Sequence, residues 1–224
     1  MHYVISDLHG YPLEHLQRLL EKAAFSAQDV LYVLGDVIDR RDGGPKLLLW
    51  MRRQPNVELL LGNHEAMMLA CESFLDGTPS DAPCNLSYTK RNTLTVWESN
   101  GGDATRYALD GLRDKEIEVM LDYVKAAPLY KEITVGERTY VLTHSGLGDF
   151  APDKRLEDYS ERELLWERPM PGQRYFEDRI VVFGHTPTGL YGPQYRGKPL
   201  VTDTWINVDV GAGKGLPPHT ASHA

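Results

Sequence analysis

The chain has 224 residues, of which 42% are hydrophobic, and this content is sufficient for one globular domain with a full core. Its formal net charge of −8 disfavours nucleic acid and anionic lipid surfaces as general partners. Two cysteines are too few for a disulfide framework, and no apolar run reaches membrane-spanning length, so the sequence predicts a cytoplasmic protein.

The first part of the chain alternates short apolar runs with stretches of helical spacing. Strands are predicted at 2–6, 30–34 and 57–61, and helices at 13–23 and 46–53. This alternation indicates βαβ units, so we expect an α/β fold in which sheet layers are flanked by helices.

The middle of the chain is predicted to be a helical insertion that spans about residues 65–127. Helical spacing recurs there, but it is interrupted by a loop at 76–85 and by Asn100-Gly101-Gly102. Further strands are predicted after the insertion, at 129–135, 139–143, 180–183 and 205–208.

Five of the predicted strands end in residue types that ligate metal ions. The carboxyl ends of strands in an open α/β sheet commonly form the site, so these residues are expected to lie together. Carboxylate, imidazole and amide oxygen suit divalent Mn, Fe or Zn, and the absence of cysteine from these strand-end clusters argues against a structural zinc site. A carboxylate can bridge two such ions at roughly 3.5–4 Å. The clusters are Asp7-Leu8-His9, Gly35-Asp36-Val37-Ile38-Asp39-Arg40, Gly62-Asn63-His64-Glu65, His144-Ser145-Gly146 and Gly184-His185-Thr186.

The set resembles the protein-phosphatase-like (calcineurin-like) metallophosphoesterases. The family pattern D-x-H, G-D-x-x-D-R, G-N-H-E and two separated histidines occurs here in order between Asp7 and Thr186. The stretch from Trp97 to Gly102 and the pair Leu165-Trp166 are similar to the small bacterial and phage serine/threonine protein phosphatases. The resemblance implies a layered α/β/β/α-type sandwich that hydrolyses phosphate monoesters with a hydroxide held between two divalent ions, with Mn favoured over Fe or Zn.

The resemblance also implies a role for each matching residue. His64 would be the general acid toward the leaving oxygen, oriented by Asp39, and Arg40 would clamp the phosphoryl oxygens. Arg168 is the best match to the family's second arginine, with Arg174 and Arg179 as alternatives. The implied metal ligands are Asp7, His9 and Asp36 for one ion, and Asp36, Asn63, His144 and His185 for the other.

The sequence departs from the family pattern in two places. Arg41 stands where family members often have glycine, and we expect it either to contact phosphate or to face water. After the segment from Asn207 to Gly211, no final strand is recognisable in the sequence. One domain is therefore predicted over 1–215, followed by a disordered tail at 216–224.

Three functions remain open on the sequence. The first is hydrolysis of phosphoserine, phosphothreonine or phosphotyrosine in proteins, or of small phosphate esters, and the G-N-H-E form and the stretch from Trp97 to Gly102 favour it. The second is cleavage of a dinucleoside polyphosphate by the same fold, and the third is a non-catalytic metal-stabilised interaction module. A cysteine-phosphatase loop at Cys84 is rejected, because Arg91 comes one residue too late. The oligomeric state is left open.

Overall fold

The computed structural model describes residues 1–75, 88–218 and 221–223, and it contains two β-sheets. In the first sheet, β1, β2 and β3 are parallel and β9 is an antiparallel edge strand. Its strands are β1 (His2–Ile5), β2 (Val30–Val33), β3 (Val57–Leu59) and β9 (Ala221–His223), in the spatial order β3-β2-β1-β9.

The second sheet is mixed and begins with the predicted hairpin. Val135 pairs with Arg138 across a two-residue turn, in which Gly136 has a φ of 62°. Its strands are β4 (Tyr130–Val135), β5 (Arg138–Thr143), β6 (Arg179–Phe183), β7 (Leu200–Val201) and β8 (Trp205–Asn207), in the order β4-β5-β6-β8-β7.

Seven α-helices occur in the described part of the chain, and most of the predicted insertion is helical. The predicted loop at 76–85 and Cys84 lie outside the described residues. No helix in the described ranges is long and apolar enough to cross a membrane. The helices are α1 (Leu13–Lys22), α2 (Gly44–Met51), α3 (Asn63–Ala70), α4 (Tyr88–Trp97), α5 (Asp103–Leu109), α6 (Asp114–Lys125) and α7 (Glu161–Leu165).

The two sheets pack against each other, and each also has a covered outer face. Side chains alternate along β2, so Tyr32 packs between the sheets whereas Leu31 packs against the helices on the outer face. Leu142 meets Tyr32 from the second sheet, and Phe183 faces outward against the segment that contains α7. Burial on both faces explains the continuous apolar runs of the sequence. The predicted layered α/β/β/α class is confirmed.

The prediction of a disordered tail over 216–224 is wrong for Ala221–His223. These residues pair antiparallel with β1, where Ala221 lies opposite Val4 and His223 lies opposite His2. The unpaired backbone edge of β1 supplies the partner groups, and the sequence Ala-Ser-His has no strand pattern of its own. This pairing also supplies the final strand that the sequence did not reveal.

Candidate active site

The predicted metal-ligand residues meet at the carboxyl edge of the two sheets. Backbone hydrogen bonds join the loops that carry them. The amide of His9 donates to the carbonyl of Asp36 (2.8 Å), and the amide of Gly184 donates to the carbonyl of His144 (2.8 Å). The structure therefore brings together residues that are up to 178 positions apart. The ligand types that follow the five strands are Asp7, Asp36, Asn63, His144 and His185.

Backbone strain is concentrated at this edge. Among residues 1–75, 88–218 and 221–223, eight non-glycine residues have a positive φ, and six of these are predicted site residues. Such conformations cost on the order of 1–3 kcal/mol each and persist only where the surrounding structure enforces them. The six residues are Asp7, His9, Asp36, Asp39, Arg40 and His185.

Two glycines allow the loops after β2 and β3 to pass each other closely. A Cβ atom on Gly35 would lie 2.4 Å from the Cα of Gly62, and one on Gly62 would lie 2.4 Å from the amide nitrogen of Asp36. Only glycine fits this approach, which explains the two glycines in G-D-x-x-D-R and G-N-H-E.

The buried carboxylate of Glu65 holds the loop after β2. It accepts hydrogen bonds from the amides of Asp36 (2.8 Å), Val37 (2.8 Å), Ile38 (3.3 Å) and Gly62 (3.1 Å). Burial, assisted by the charge of Asp36, raises the pKa of Glu65 to about 7. The side chain thus fixes the backbone from which Asp36 projects.

We expect Glu65→Gln to lower the free energy of unfolding by about 2–3 kcal/mol, because the new amide turns N–H donors toward backbone N–H groups that have lost an acceptor. Chemical denaturation measures this loss. Glu137→Gln, an exposed change in the β4–β5 turn, is the control and should unfold like the parent. Equal midpoints for the two variants would contradict the anchoring role of Glu65.

His144 directs one ring nitrogen into the site. Its Nδ1 lies 2.7 Å from the carbonyl oxygen of Leu34, which can only accept, so Nδ1 carries a proton. The other nitrogen, Nε2, lies 2.8 Å from Asn63 Oδ1 and 3.4 Å from Asp36 Oδ1. An imidazole nitrogen, an amide oxygen and a carboxylate oxygen thus converge here, and together they are a donor set that suits a divalent cation.

His185 completes this donor group from the second sheet. Its Nδ1 lies 3.0 Å from Asn63 Oδ1 and 3.2 Å from His144 Nε2. Burial, together with the neighbouring His144, lowers the pKa of His185 to about 2, so the ring is neutral near pH 7. Asp36, His144 and His185 place ligand atoms within 4.8 Å of one another. A neutral imidazole is the form that binds a metal ion.

A second donor group forms around His9 on the other side of Asp36. His9 Nδ1 lies 3.1 Å from the carbonyl oxygen of Ile38, which leaves Nε2 facing Asp36 Oδ2 (3.7 Å) and Asp7 Oδ1 (3.9 Å). Burial lowers the pKa of His9 to about 3. Asp7 Oδ2 accepts from the hydroxyl of Ser6 and from the amide of His185 (2.9 Å), so Oδ1 remains for a cation.

The buried carboxylates require compensating positive charge. Burial, followed by the nearby charge of Asp36, raises the pKa of Asp7 to about 6. Burial also favours the neutral form of Asp36, but His144 and His64 outweigh it and hold the Asp36 pKa below its usual range. The two oxygens of Asp36 face different donor groups, Oδ1 toward His144 and Oδ2 toward His9. The donor set therefore fits two divalent cations that share this carboxylate.

His64 lies beside both donor groups and is tied to a buried carboxylate. Its Nδ1 lies 2.6 Å from Asp39 Oδ2, and its Nε2 lies 3.7 Å from Asp36 Oδ2. Burial opposes protonation of His64, and so does the guanidinium of Arg40, but Asp36 and Asp39 raise its pKa to about 9. Distance alone would also group His64 with His9 and Asp36 as metal ligands. The guanidinium Nη2 of Arg40, 3.3 Å from His64 Nε2, makes that position unfavourable for a cation.

Arginines flank the site on two sides. Arg40 is exposed beside His64, and Arg168 Nη1 donates to the hydroxyl of Thr186, next to His185 (3.2 Å). The alternatives to Arg168 are paired elsewhere: Arg174 with Asp203 (3.0 Å), and Arg179 with Asp178 and Glu132. Of the three candidates, Arg168 is therefore the one that the structure brings to the site.

Arg41 has neither of the environments expected from the sequence. Its guanidinium donates to the carbonyls of His9 (3.2 Å) and Ala212 (2.7 Å) and lies over the ring of Tyr11. Because backbone carbonyls take up these N–H groups, Arg41 ties the loop after β1 to the turn after β8.

The sequence reasoning missed one buried carboxylate near the site, Asp209. Burial, followed by the charge of Asp7, raises the Asp209 pKa well above its usual range, and its Oδ1 accepts from the amide of Gly211 (2.9 Å). Its place in Asn207-Val208-Asp209, directly after β8, was the available signal, because it repeats the position of the other acidic residues after their strands.

The calcineurin-like phosphoesterase family matches residues 3–210, and the chain belongs to this family of metal-dependent hydrolases. The resemblance inferred from the D-x-H, G-D-x-x-D-R and G-N-H-E motifs is confirmed.

The chain is similar to proteins with two different named activities. Serine/threonine-protein phosphatase 2 of Escherichia coli (strain K12) is 29% identical over 168 residues, which cover 73% of this chain and 66% of that protein. The symmetrical bis(5'-nucleosyl)-tetraphosphatase of Neisseria meningitidis is 26% identical over 191 residues, which cover 83% of this chain and 56% of that protein. The chain thus spans between about half and two thirds of the length of these relatives.

The fold also matches a solved structure. The crystal structure of a candidate diadenosine tetraphosphatase superposes with a TM-score of 0.63 at 16% identity, and the match covers 98% of this chain and 92% of that one. At this identity the likeness establishes the layered fold and does not distinguish the substrates.

Proposed function

We propose that this protein is a two-metal phosphoric monoester hydrolase that acts on phosphorylated serine or threonine, and also on tyrosine, in proteins. The observation that carries the proposal is the position of Asp36, whose two oxygens face separate donor groups beside the pair formed by His64 and Asp39. A metal-stabilised interaction module has no use for a buried His64–Asp39 pair.

The residues divide into metal ligands and groups that act on the substrate. Divalent ions, with Mn favoured, would lower the pKa of bound water toward about 7 and neutralise phosphoryl charge. His64 would give a proton to the leaving oxygen, and Asp39, which lies 2.6 Å from His64 Nδ1, would keep the ring oriented. The ions would be held by Asp7, His9 and Asp36 on one side and by Asp36, Asn63, His144 and His185 on the other.

Arg40 and Arg168 would bind the phosphoryl oxygens from opposite sides. We expect Arg40→Ala and Arg168→Ala each to lower kcat/KM by about 10- to 100-fold, because each removes a charge-assisted contact worth about 1.5–3 kcal/mol. Bound metal should stay at the parent level. Steady-state kinetics with elemental analysis measures both quantities, and Arg174→Ala, which removes an exposed ion pair, is the matched control. A loss in Arg174→Ala without one in Arg168→Ala would reverse the assignment.

Cleavage of a dinucleoside polyphosphate is the second candidate, and it is motivated by the tetraphosphatase among the relatives. The G-N-H-E form and the bacterial protein phosphatase relative support the phosphomonoesterase. A panel of phosphoserine, phosphothreonine and phosphotyrosine peptides and diadenosine tetraphosphate, assayed with Mn²⁺, tests the choice. We expect release of phosphate from the peptides. Rapid cleavage of diadenosine tetraphosphate with slow peptide turnover would establish the second candidate instead.

A further inference from the structure

Two further side chains, besides His64, bind the carboxylate of Asp39. The hydroxyl of Thr105 accepts from the amide of Asp39 (2.9 Å) and donates to Asp39 Oδ1 (2.6 Å). Because the hydroxyl accepts from this amide, its single proton is directed to the carboxylate. Thr105 is completely buried, and its contact with Asp39 spans 66 positions of sequence.

Trp97 holds the other oxygen of the same carboxylate. Its indole Nε1 donates to Asp39 Oδ2 (2.9 Å), which is also the oxygen that faces His64 Nδ1. The ring is completely buried and packs directly on Gly102, where a Cβ atom would lie 2.6 Å from three of its carbons. Its position therefore depends on the turn between α4 and α5.

The same turn also fixes the backbone of Arg40. The amide of Arg40 donates to the carbonyl of Gly101 (2.9 Å), and Gly101 has a φ of 99°. A Cβ atom on Gly101 would lie 2.9 Å from both the Cγ and the amide nitrogen of Arg40. Glycine thus lets the turn approach Arg40, whose own φ of 66° needs an external restraint.

These contacts determine where His64 points. Three donors leave Asp39 little freedom to rotate, so its Oδ2 stays aimed at His64 Nδ1. The ring of His64 is then held with Nε2 on the side of Asp36. A catalytic side chain held loosely loses rate even when all its atoms are present.

We propose that Thr105 and Trp97 are positioning residues for this site. Through Asp39 they set the orientation of His64, so the segment from 97 to 105 in the helical insertion contributes to the geometry of the active site. The inference rests on the proposed role of His64 as the general acid, and it extends that role to two residues that do not touch the substrate.

Thr105→Val tests the inference, because it keeps the shape of the side chain and removes the hydroxyl. We expect kcat to fall about 10- to 100-fold for phosphoserine peptide, whose alkoxide needs a proton, and by less than about twofold for p-nitrophenyl phosphate. Bound Mn²⁺ should not change. Thr105→Ser should recover most of the loss. Trp97→Phe, which removes the Nε1 donor together with part of the buried ring, should show the same dependence on the leaving group.

Thr204→Val is the matched control. Thr204 is also a buried threonine whose hydroxyl binds a backbone group, the amide of Tyr175 (3.0 Å), but it lies outside this network. It should alter stability without any dependence on the leaving group. In a double-mutant cycle, Thr105→Val should add little to the effect of His64→Asn, since both act through one group.

A second readout needs no activity. In the metal-free protein, the Nδ1 proton of His64 should give a downfield nuclear magnetic resonance signal that exchanges slowly with solvent and disappears in His64→Asn. Thr105→Val should accelerate its exchange at least about tenfold. An unchanged signal, or an equal loss of kcat for both leaving groups, would overturn the inference. If the inference fails in this way but the loss in His64→Asn still depends on the leaving group, the proposed function stands and only the positioning role of Thr105 and Trp97 is refuted.

Discussion

Asp36→Asn is expected to lose its bound metal and its activity together. Its two oxygens face separate donor groups, one with His144 and one with His9, so this change weakens both positions at once. An amide carries no charge and has only one oxygen, so it cannot bridge two cations. The metals are expected to stabilise the transition state by several kcal/mol, and losing this stabilisation lowers kcat/KM by on the order of 10³-fold or more. Elemental analysis and steady-state kinetics on the same preparation measure both effects.

The control for this variant is Asp149→Asn. Asp149 is exposed and also has a positive φ, which asparagine tolerates, so the control repeats the chemical change away from the donor groups. It should retain the parent metal content and turnover. A full pair of ions in Asp36→Asn would contradict the bridging role, whatever the activity.

His64→Asn is expected to keep its metal and lose kcat by on the order of 10²–10⁴-fold, the usual contribution of general acid catalysis. His64 Nδ1 is tied to Asp39, and Nε2 is the nitrogen left to deliver a proton. The loss should therefore be largest for phosphoserine, whose leaving alkoxide needs protonation. It should be small for p-nitrophenyl phosphate, which releases a stable phenolate.

His15→Asn, a change at an exposed position of α1, is the control and should behave like the parent. Equal losses in His64→Asn for good and poor leaving groups would remove the acid role. Loss of metal in the same variant would instead make His64 a ligand, as its distance to His9 and Asp36 allows.

The metal-ligand candidates were predictable because their signals are local. Asp7 follows β1 and Asp36 follows β2, and parallel strands bring their carboxyl ends to one edge. The histidines after β5 and β6 follow the same rule in the second sheet. The order of the motifs along the chain also indicated the family. What the sequence could not supply is how Asp36 divides its two oxygens, because that depends on side-chain orientation.

Contacts made by the helical insertion were not predictable from local patterns. Asn100-Gly101-Gly102 was predicted to break the helices, and Gly101, with a φ of 99°, does interrupt the helical backbone there. The hydrogen bond from the Arg40 amide to the Gly101 carbonyl was not predicted. Trp97 and Thr105 meet Asp39 across 58 and 66 positions of sequence. Contacts of this kind follow from the packing of the helices on the sheet edge.

One missed element did have a readable signal. Helix α7 begins at Glu161 and is capped by Ser160: the amide of Glu163 donates to the Ser160 hydroxyl, and the Glu163 carboxylate accepts from the Ser160 amide. This is the reciprocal cap expected of an S-x-x-E sequence. Strand β9 had no such signal, because its pairing is determined by the open edge of β1.

Reconstitution of the chelated protein tests the two-metal account most directly. Mn²⁺ would be added stepwise to the metal-free chain, while bound Mn²⁺ and hydrolysis of a phosphoserine peptide are followed in the same samples. We expect no turnover without metal, and turnover that rises to its maximum as the second ion binds per chain. Full turnover in the chelated protein, or maximal turnover with a single bound ion, would contradict a site in which Asp36 is shared by two cations.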